Sequence, residues 1–166
     1  MSLSLLAKVL TVSDSVAAGT ATDRSGEVLC DRLLSAGFAI AERTCVVDGV
    51  DPVGGALLAL AADFSGLIVT TGGTGFGPRN LTPEATRAVI ERDAPGLAEA
   101  MRAVNPLGRL SRAVAGTIGR ALVLNTPGSP SGALECLDAV LDVVPHALEL
   151  LVGGHPHSHP EHQAGH

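Results

Sequence analysis

The sequence predicts an α/β protein built on a mostly parallel sheet, and three observations carry that expectation. The run Leu67-Ile68-Val69-Thr70-Thr71 is short, apolar and rich in β-branched residues, as in a strand buried on both faces. It empties into Gly72, Gly73, Gly75 and Gly77 and then into Thr82-Pro83-Glu84-Ala85. Thr82 there reads as a helix N-cap, Pro83 as the first helical residue and Glu84 as the acidic member of the first turn. The third observation is compositional. Hydrophobic residues make up 46% of the chain, yet it has three Phe and no Trp or Tyr, so Leu, Val, Ile and Ala must build the core.

Taken in order, residues 8–13 read as a first strand that stops at Asp14-Ser15, followed by a small, polar, loop-like stretch over 17–26. A helix begins near Ser25, carries Val28, Leu29, Leu33 and Ala36 on one face, and ends at Gly37. Asp23 and Ser25 at its start serve equally as N-caps or as ligand contacts. Residues 38–47 read as strand two, with Asp48 at its carboxyl end, and the Ala- and Leu-rich stretch 53–62 as a helix. After the central strand and the glycine loop, helices are expected over 83–92 and 95–101. The second of these presents an Ala/Leu surface suited to a subunit contact. Residues 110–116 and 121–125 read as two strands whose short link, 117–120, predicts an antiparallel hairpin. Thr126-Pro127-Gly128-Ser129-Pro130 turns into a helix over 132–144, and 146–152 form a last helical piece.

With 166 residues the chain has the size of one domain with a sizeable core. The net charge is −6 and Lys8 is the only lysine, which argues against a nucleic-acid partner. No apolar segment reaches the ~18 residues of a membrane span, and no cleavable leader is evident. Cys30, Cys45 and Cys136 are an odd, widely spaced set without a C-x-x-C. They read as reduced, buried thiols of a cytoplasmic protein rather than as disulfides or zinc ligands. Five of the six histidines fall in the Pro- and polar-rich stretch 153–166, expected to be a disordered tail that binds transition metals weakly and without function.

The glycine loop is where ligand chemistry is expected. Ligands of open α/β sheets bind beyond the carboxyl ends of the strands. Exposed backbone N–H groups and a helix N-terminus there favour anions. The loop is not a P-loop, since no Gly-Lys-Ser/Thr follows, and the dinucleotide fingerprint spacing is absent too. A polar set, Thr74, Arg79, Asn80, Thr82 and Glu84, is interleaved with the glycines or follows them, and predicts a phosphate-bearing ligand. Arg79 serves either as a phosphate contact or as a partner for Glu84. Phe76 covers a ligand or a subunit boundary, and Ser129 caps the next helix or contacts ligand.

Three blocks carry a family likeness. They are Val12-Ser13-Asp14-Ser15 with Asp23-Arg24-Ser25-Gly26; Thr71-Gly72-Gly73-Thr74-Gly75 through Arg79-Asn80-Leu81-Thr82-Pro83-Glu84, on to Pro95-Gly96-Leu97; and Leu110-Ser111-Arg112 followed by Asn125-Thr126-Pro127-Gly128-Ser129-Pro130. Over roughly residues 5 to 152 the chain resembles the MogA/MoaB family of molybdenum-cofactor biosynthesis proteins, which sets the domain at 1–152. The resemblance implies a three-layer α/β domain, a homotrimer or sometimes a hexamer, and Mg²⁺- and ATP-dependent adenylylation of molybdopterin. Pyrophosphate is the other product, and a molybdate-inserting partner protein uses the adenylylated pterin. It implies a catalytic, metal-binding role for Asp48 and Asn80. It also implies substrate binding by Ser13, Asp14, Gly72, Gly73, Thr74, Gly75, Arg79, Thr82, Pro127, Gly128 and Ser129. Asn80 departs from the family pattern, in which adenylyltransferase members carry a second catalytic aspartate. Its carbonyl oxygen can still face a metal or a substrate, but without charge, which implies weakened catalysis or a pterin-binding protein that does not adenylylate.

Overall fold

The computed structural model describes residues 3–153. Its centre is one six-stranded sheet in the order β2-β1-β3-β6-β5-β4. The strands are β1 (Leu6–Val12), β2 (Ala39–Val46), β3 (Gly66–Thr71), β4 (Arg92–Asp93), β5 (Ala115–Ile118) and β6 (Ala121–Thr126). β1 pairs parallel with β2 and β3, and β3 pairs parallel with β6. β5 runs antiparallel to both β6 and β4. Among the described residues seven α-helices flank the sheet: α1 (Asp14–Ala17), α2 (Arg24–Ser35), α3 (Val50–Ala61), α4 (Thr82–Val89), α5 (Pro95–Ala103), α6 (Pro130–Val140) and α7 (Val144–Leu151).

Alternation along the buried strands sorts the core into two layers, because successive side chains leave a strand on opposite faces. Leu67 and Val69 of β3 join Val9, Leu122 and Leu124 under Leu29 and Leu33 of α2, Met101 of α5, Leu137 of α6 and Leu148 of α7. On the other face Ile68, Leu10 and Val123 meet Val53, Leu57 and Leu60 of α3 and Ala85 of α4. The expected three layers and aliphatic core are therefore present. At about 25 cal/mol per Å² of apolar surface, such fully buried Leu and Ile side chains each contribute roughly 1.5–3 kcal/mol.

Several expectations change. The helix expected to reach residue 92 ends at Val89, because Arg92–Asp93 pair with β5 as an edge strand and Pro95 bars helical φ/ψ at Ala94. The strand expected over 110–116 begins only at Ala115, as β5; Pro106–Leu110 form a 3₁₀ turn, and residues 111–114 between them belong to no strand. Asn105 caps the 3₁₀ turn, its Oδ1 accepting from the Leu107 amide at 2.9 Å. The hairpin exists, but its link is only Gly119-Arg120, with Gly119 at φ 55°. The helix expected over 132–144 starts at Pro130 and breaks after Val140 before α7. The apolar face of α5, expected to offer a subunit contact, turns into the core of its own domain, where Ala98 and Met101 are 4% and 2% exposed. Of the three cysteines Cys30 is buried and Cys136 partly so, whereas Cys45 is exposed, because β2 is an edge strand that turns it outward. The His-rich stretch from 154 lies outside the described residues.

Candidate active site

Four parallel strands end on one side of the molecule, and the loops that leave them build the site. β3 runs into Gly72 and Gly73, whose φ values are 102° and 70°. A Cβ on Gly72 would overlap the Val12 carbonyl oxygen; on Gly73 it would overlap the Thr82 hydroxyl and stand 2.9 Å from Asp48 Oδ2. Only glycine tolerates both the dihedral and the close approach. The N–H groups of Gly73, Thr74 and Gly75 donate to no partner among the described residues. Such a run of unpaired amides at the end of a strand is suited to an anion.

Asp48 stands against this loop, two residues beyond β2. Its Oδ1 accepts from the amides of Gly49 (2.9 Å) and Leu81 (3.0 Å), which pins the segment entering α4. Its Oδ2 takes no hydrogen bond among the described residues. The Asp48 amide in turn donates to Asp14 Oδ1 at 3.1 Å. Asp14 is gripped in a two-pronged ion pair by Arg79, Nε to Oδ2 at 2.6 Å and an Nη to Oδ1 at 2.9 Å. The Arg79 guanidinium, with help from the Asp48 amide, holds the Asp14 carboxyl below its usual range; the same contact raises Arg79.

Arg79 therefore does not pair with Glu84, one of the two duties expected of it. Glu84 pairs with Arg112. Arg112 also donates from Nε to the Gly75 carbonyl (2.9 Å) and from an Nη to the Asn80 carbonyl (2.5 Å), and its own amide donates to the Thr74 carbonyl (3.0 Å). One arginine from the stretch expected to be a strand thus clasps both ends of the glycine loop. Sequence reasoning quoted Arg112 within a family block but gave it no role, since nothing local shows which segment a lone arginine will reach. Arg112 holds the Glu84 carboxyl below its ordinary value of 4.5. A depressed carboxylate stabilises the fold above its unfolded value, and that share is lost as pH falls through the folded one. The melting-temperature gap between wild type and Glu84→Gln should therefore stay constant from neutral pH to about 5 and close below about pH 4.5. A gap that does not narrow at all on acidification would mean that the ion pair is not its source.

Other expected site residues take structural duties as well. Thr82 is not an N-cap: Leu81 occupies that position, and the Thr82 hydroxyl is fully buried without a hydrogen-bond partner. Ser13 caps α1 through Val16 N (3.3 Å), Asp23 caps α2 through Gly26 N (2.9 Å), and Ser129 caps α6 through Gly132 N (3.2 Å). Asn80 turns its side-chain oxygen to the Gly77 amide at 3.2 Å. Beneath the loop, the fully buried Asn125 accepts from Val114 N (3.1 Å) and donates to the hydroxyls of Thr70 and Thr86 (3.0 Å each).

Except for Thr82, which lines neither, the expected residues divide between two clefts on either side of the glycine loop. A polar cleft of about 500 Å³ is lined by Ser13, Asp14, Asp48, Gly72, Gly73, Arg79, Asn80 and Gly128. Thr74, Gly75, Pro127 and Ser129 line a second, more apolar cleft of about 360 Å³ with Met101 and Leu107. Phe76 covers neither cleft: it is 71% exposed. Cys136 lines the second cleft as a protonated thiol, pushed up to about 11 by burial. No helix among the described residues is long and apolar enough to cross a membrane.

Fold and site together define an α/β protein whose loops beyond the carboxyl ends of its parallel strands leave free amides suited to an anion. Residues 8–146 match the family model described as a probable molybdopterin binding domain. The chain is 36% identical over 156 residues to a molybdopterin adenylyltransferase of Helicobacter pylori (strain J99), covering 89% of this chain and 88% of that one. It is also 36% identical to the molybdenum cofactor biosynthesis bifunctional protein of Chlorobaculum tepidum, of whose length it spans 49% against 89% of its own. Among solved structures, the molybdopterin biosynthesis enzyme MoaB of Thermus thermophilus superposes with a TM-score of 0.83 at 46% identity, over 90% of this chain and 97% of that one. The Mog protein of Mycobacterium ulcerans gives 0.82 at 40% identity, over 92% and 99%. The chain belongs to the MogA/MoaB family of molybdenum-cofactor biosynthesis proteins.

Proposed function

We propose that this protein adenylylates molybdopterin with Mg-ATP, releasing pyrophosphate. The observation that carries the reading is the run of unpaired amides at Gly73–Gly75 beside the open Oδ2 of Asp48. Joining a phosphate monoester to the α-phosphate of ATP brings two anions together, so catalysis is mostly positioning and neutralisation. The amides and the start of α4 suit phosphate oxygens. Arg79, with guanidinium donors left over from its contact to Asp14, adds positive charge at the rim. Two clefts meeting at one loop provide room for two reactants.

Mg²⁺ binds through one or two carboxylates together with substrate phosphates and water. The residues present fit that mode: Asp48 supplies an uncommitted carboxylate oxygen, while no group of three or more His, Cys, Asp or Glu among the described residues is arranged to hold a metal unaided. Asn80 is the weaker candidate ligand, because its oxygen already serves Gly77.

Incubating the protein with molybdopterin and Mg-ATP and measuring pyrophosphate tests the reading. Pterin binding without pyrophosphate release would favour the second reading, a binding protein of the same fold, which the uncharged Asn80 supports. Asn80→Asp should raise turnover about tenfold: a charge pair at ~4 Å is worth roughly 4 kcal/mol at an effective dielectric of about 20, and screening by solvent and Arg79 reduces it. Aspartate retains the acceptor for the Gly77 amide, so the loop keeps its shape. An unchanged rate with pterin affinity intact would show that the missing charge is not limiting.

The domain in this reading spans 1–152, and a chain ended at Gly153 retains full turnover. The protein acts in the cytoplasm as a homotrimer and passes its product to a molybdate-inserting protein. Phe76, which is 71% exposed and lines neither cleft, supports subunit contact, and a monomer mass in sedimentation equilibrium would overturn it.

A further inference from the structure

The second cleft contains a carboxylate that nothing above employs. Glu135 of α6 faces a cavity walled by Met101, Leu107, Leu110, Ala113 and Pro127. It makes no ion pair among the described residues. Asn105 holds it in place. The Asn105 Oδ1 is committed to the Leu107 amide, so Nδ2 is the atom left to donate to Glu135 Oε2, at 3.2 Å. The other oxygen, Oε1, has no hydrogen-bond partner among the described residues. Apolar walls with a few placed polar groups, here Glu135 beside Ser111, Ser129, Ser131 and an Arg102 that donates to the Ala113 carbonyl, are how small-molecule sites bind a flat ring and orient it.

We propose that Glu135 reads the donor edge of the pterin ring, making the second cleft the ring's seat and Glu135 a specificity-determining residue. This rests on the reading that the chain takes molybdopterin. An ionised carboxylate only accepts hydrogen bonds. A 2-amino-4-oxopterin offers it two adjacent donors, N3–H and the 2-amino group, in the two-pronged pattern that carboxylates favour. Adenine offers no such pair, because each of its edges places an acceptor beside the amino group. A triphosphate would be repelled by the same carboxylate. The ring accordingly lies on the Glu135 side of the glycine loop, and the phosphates meet on the Asp48 side.

Neopterin, a fluorescent pterin with a neutral side chain, tests this directly, since a protein without Trp or Tyr leaves its emission clear. Wild type should bind neopterin at least about tenfold more tightly than the lumazine analogue, in which a carbonyl replaces the 2-amino group. Glu135→Gln should weaken neopterin roughly 10- to 100-fold, abolish the preference over lumazine, and leave ATP affinity and melting temperature unchanged. Undetectable neopterin binding to wild type overturns the proposal, as does a variant that keeps both affinity and preference. The KM for molybdopterin in the pyrophosphate assay separates the two levels. Turnover with an unchanged KM in Glu135→Gln overturns the Glu135 role alone. Analogue preference without any pyrophosphate release overturns adenylylation and leaves the Glu135 role standing.

Discussion

Asp48→Asn is expected to lose about 100- to 1,000-fold in pyrophosphate release while melting at the wild-type temperature. The two carboxylate oxygens have separate duties. Oδ1 accepts from the Gly49 and Leu81 amides and so anchors the segment entering α4. Oδ2 stands against Gly73 with no partner of its own. An asparagine oxygen placed at Oδ1 keeps both amide contacts, whereas its amino group at Oδ2 removes the charge that would face Mg²⁺ and the phosphates. Loss of one charge interaction of about 3–4 kcal/mol corresponds to the stated drop in rate. Asp48→Ala should lose the same rate and, in addition, about 1–2 kcal/mol of stability, because the two amides are left without an acceptor. An Asp48→Asn enzyme with wild-type turnover would reduce Asp48 to a loop anchor.

The second large effect is on stability. Asn125→Ala should cost about 3–5 kcal/mol, since it strands the Val114 amide and removes the donor shared by the Thr70 and Thr86 hydroxyls in a dry interior. For a chain of this size that corresponds to a fall of roughly 10 °C or more in melting temperature. Asn125 is fully buried and ties β6 to β3, to α4 and to the stretch before β5. The glycine loop is held between those same elements, so pterin and ATP affinity should weaken along with the melt. A loss under 1 kcal/mol in chemical denaturation would show that the three partners find other acceptors and donors.

Much of this was legible in the chain itself. The continuous apolar run 67–71 can only be a strand covered on both faces, and it is the central one. Glycines at 72 and 73 announced a backbone that other groups crowd, and the crowding groups are Val12, Thr82 and Asp48. What misled was local chemistry that tertiary contacts outbid. Thr82 has the side chain of a cap, but the β3 strand end and Asp48 bury it one position inside the helix. Residues 111–114 look like a strand, yet Arg112 draws them across to Gly75 and Asn80. Cys45 looks buried by type and is exposed because its strand lies at an edge.

The sequence alone determined the α/β architecture, the aliphatic core and the place of the glycine loop, because hydrophobic period and glycine dihedrals are properties of short segments. Only the tertiary structure decided which polar and charged side chains meet. Arg79 reached Asp14 across 65 residues, Arg112 reached Glu84 across 28, and Glu135 found Asn105 across 30. Side-chain partners at such separations are chosen by where strands and helices bring their ends, and no local pattern records that choice.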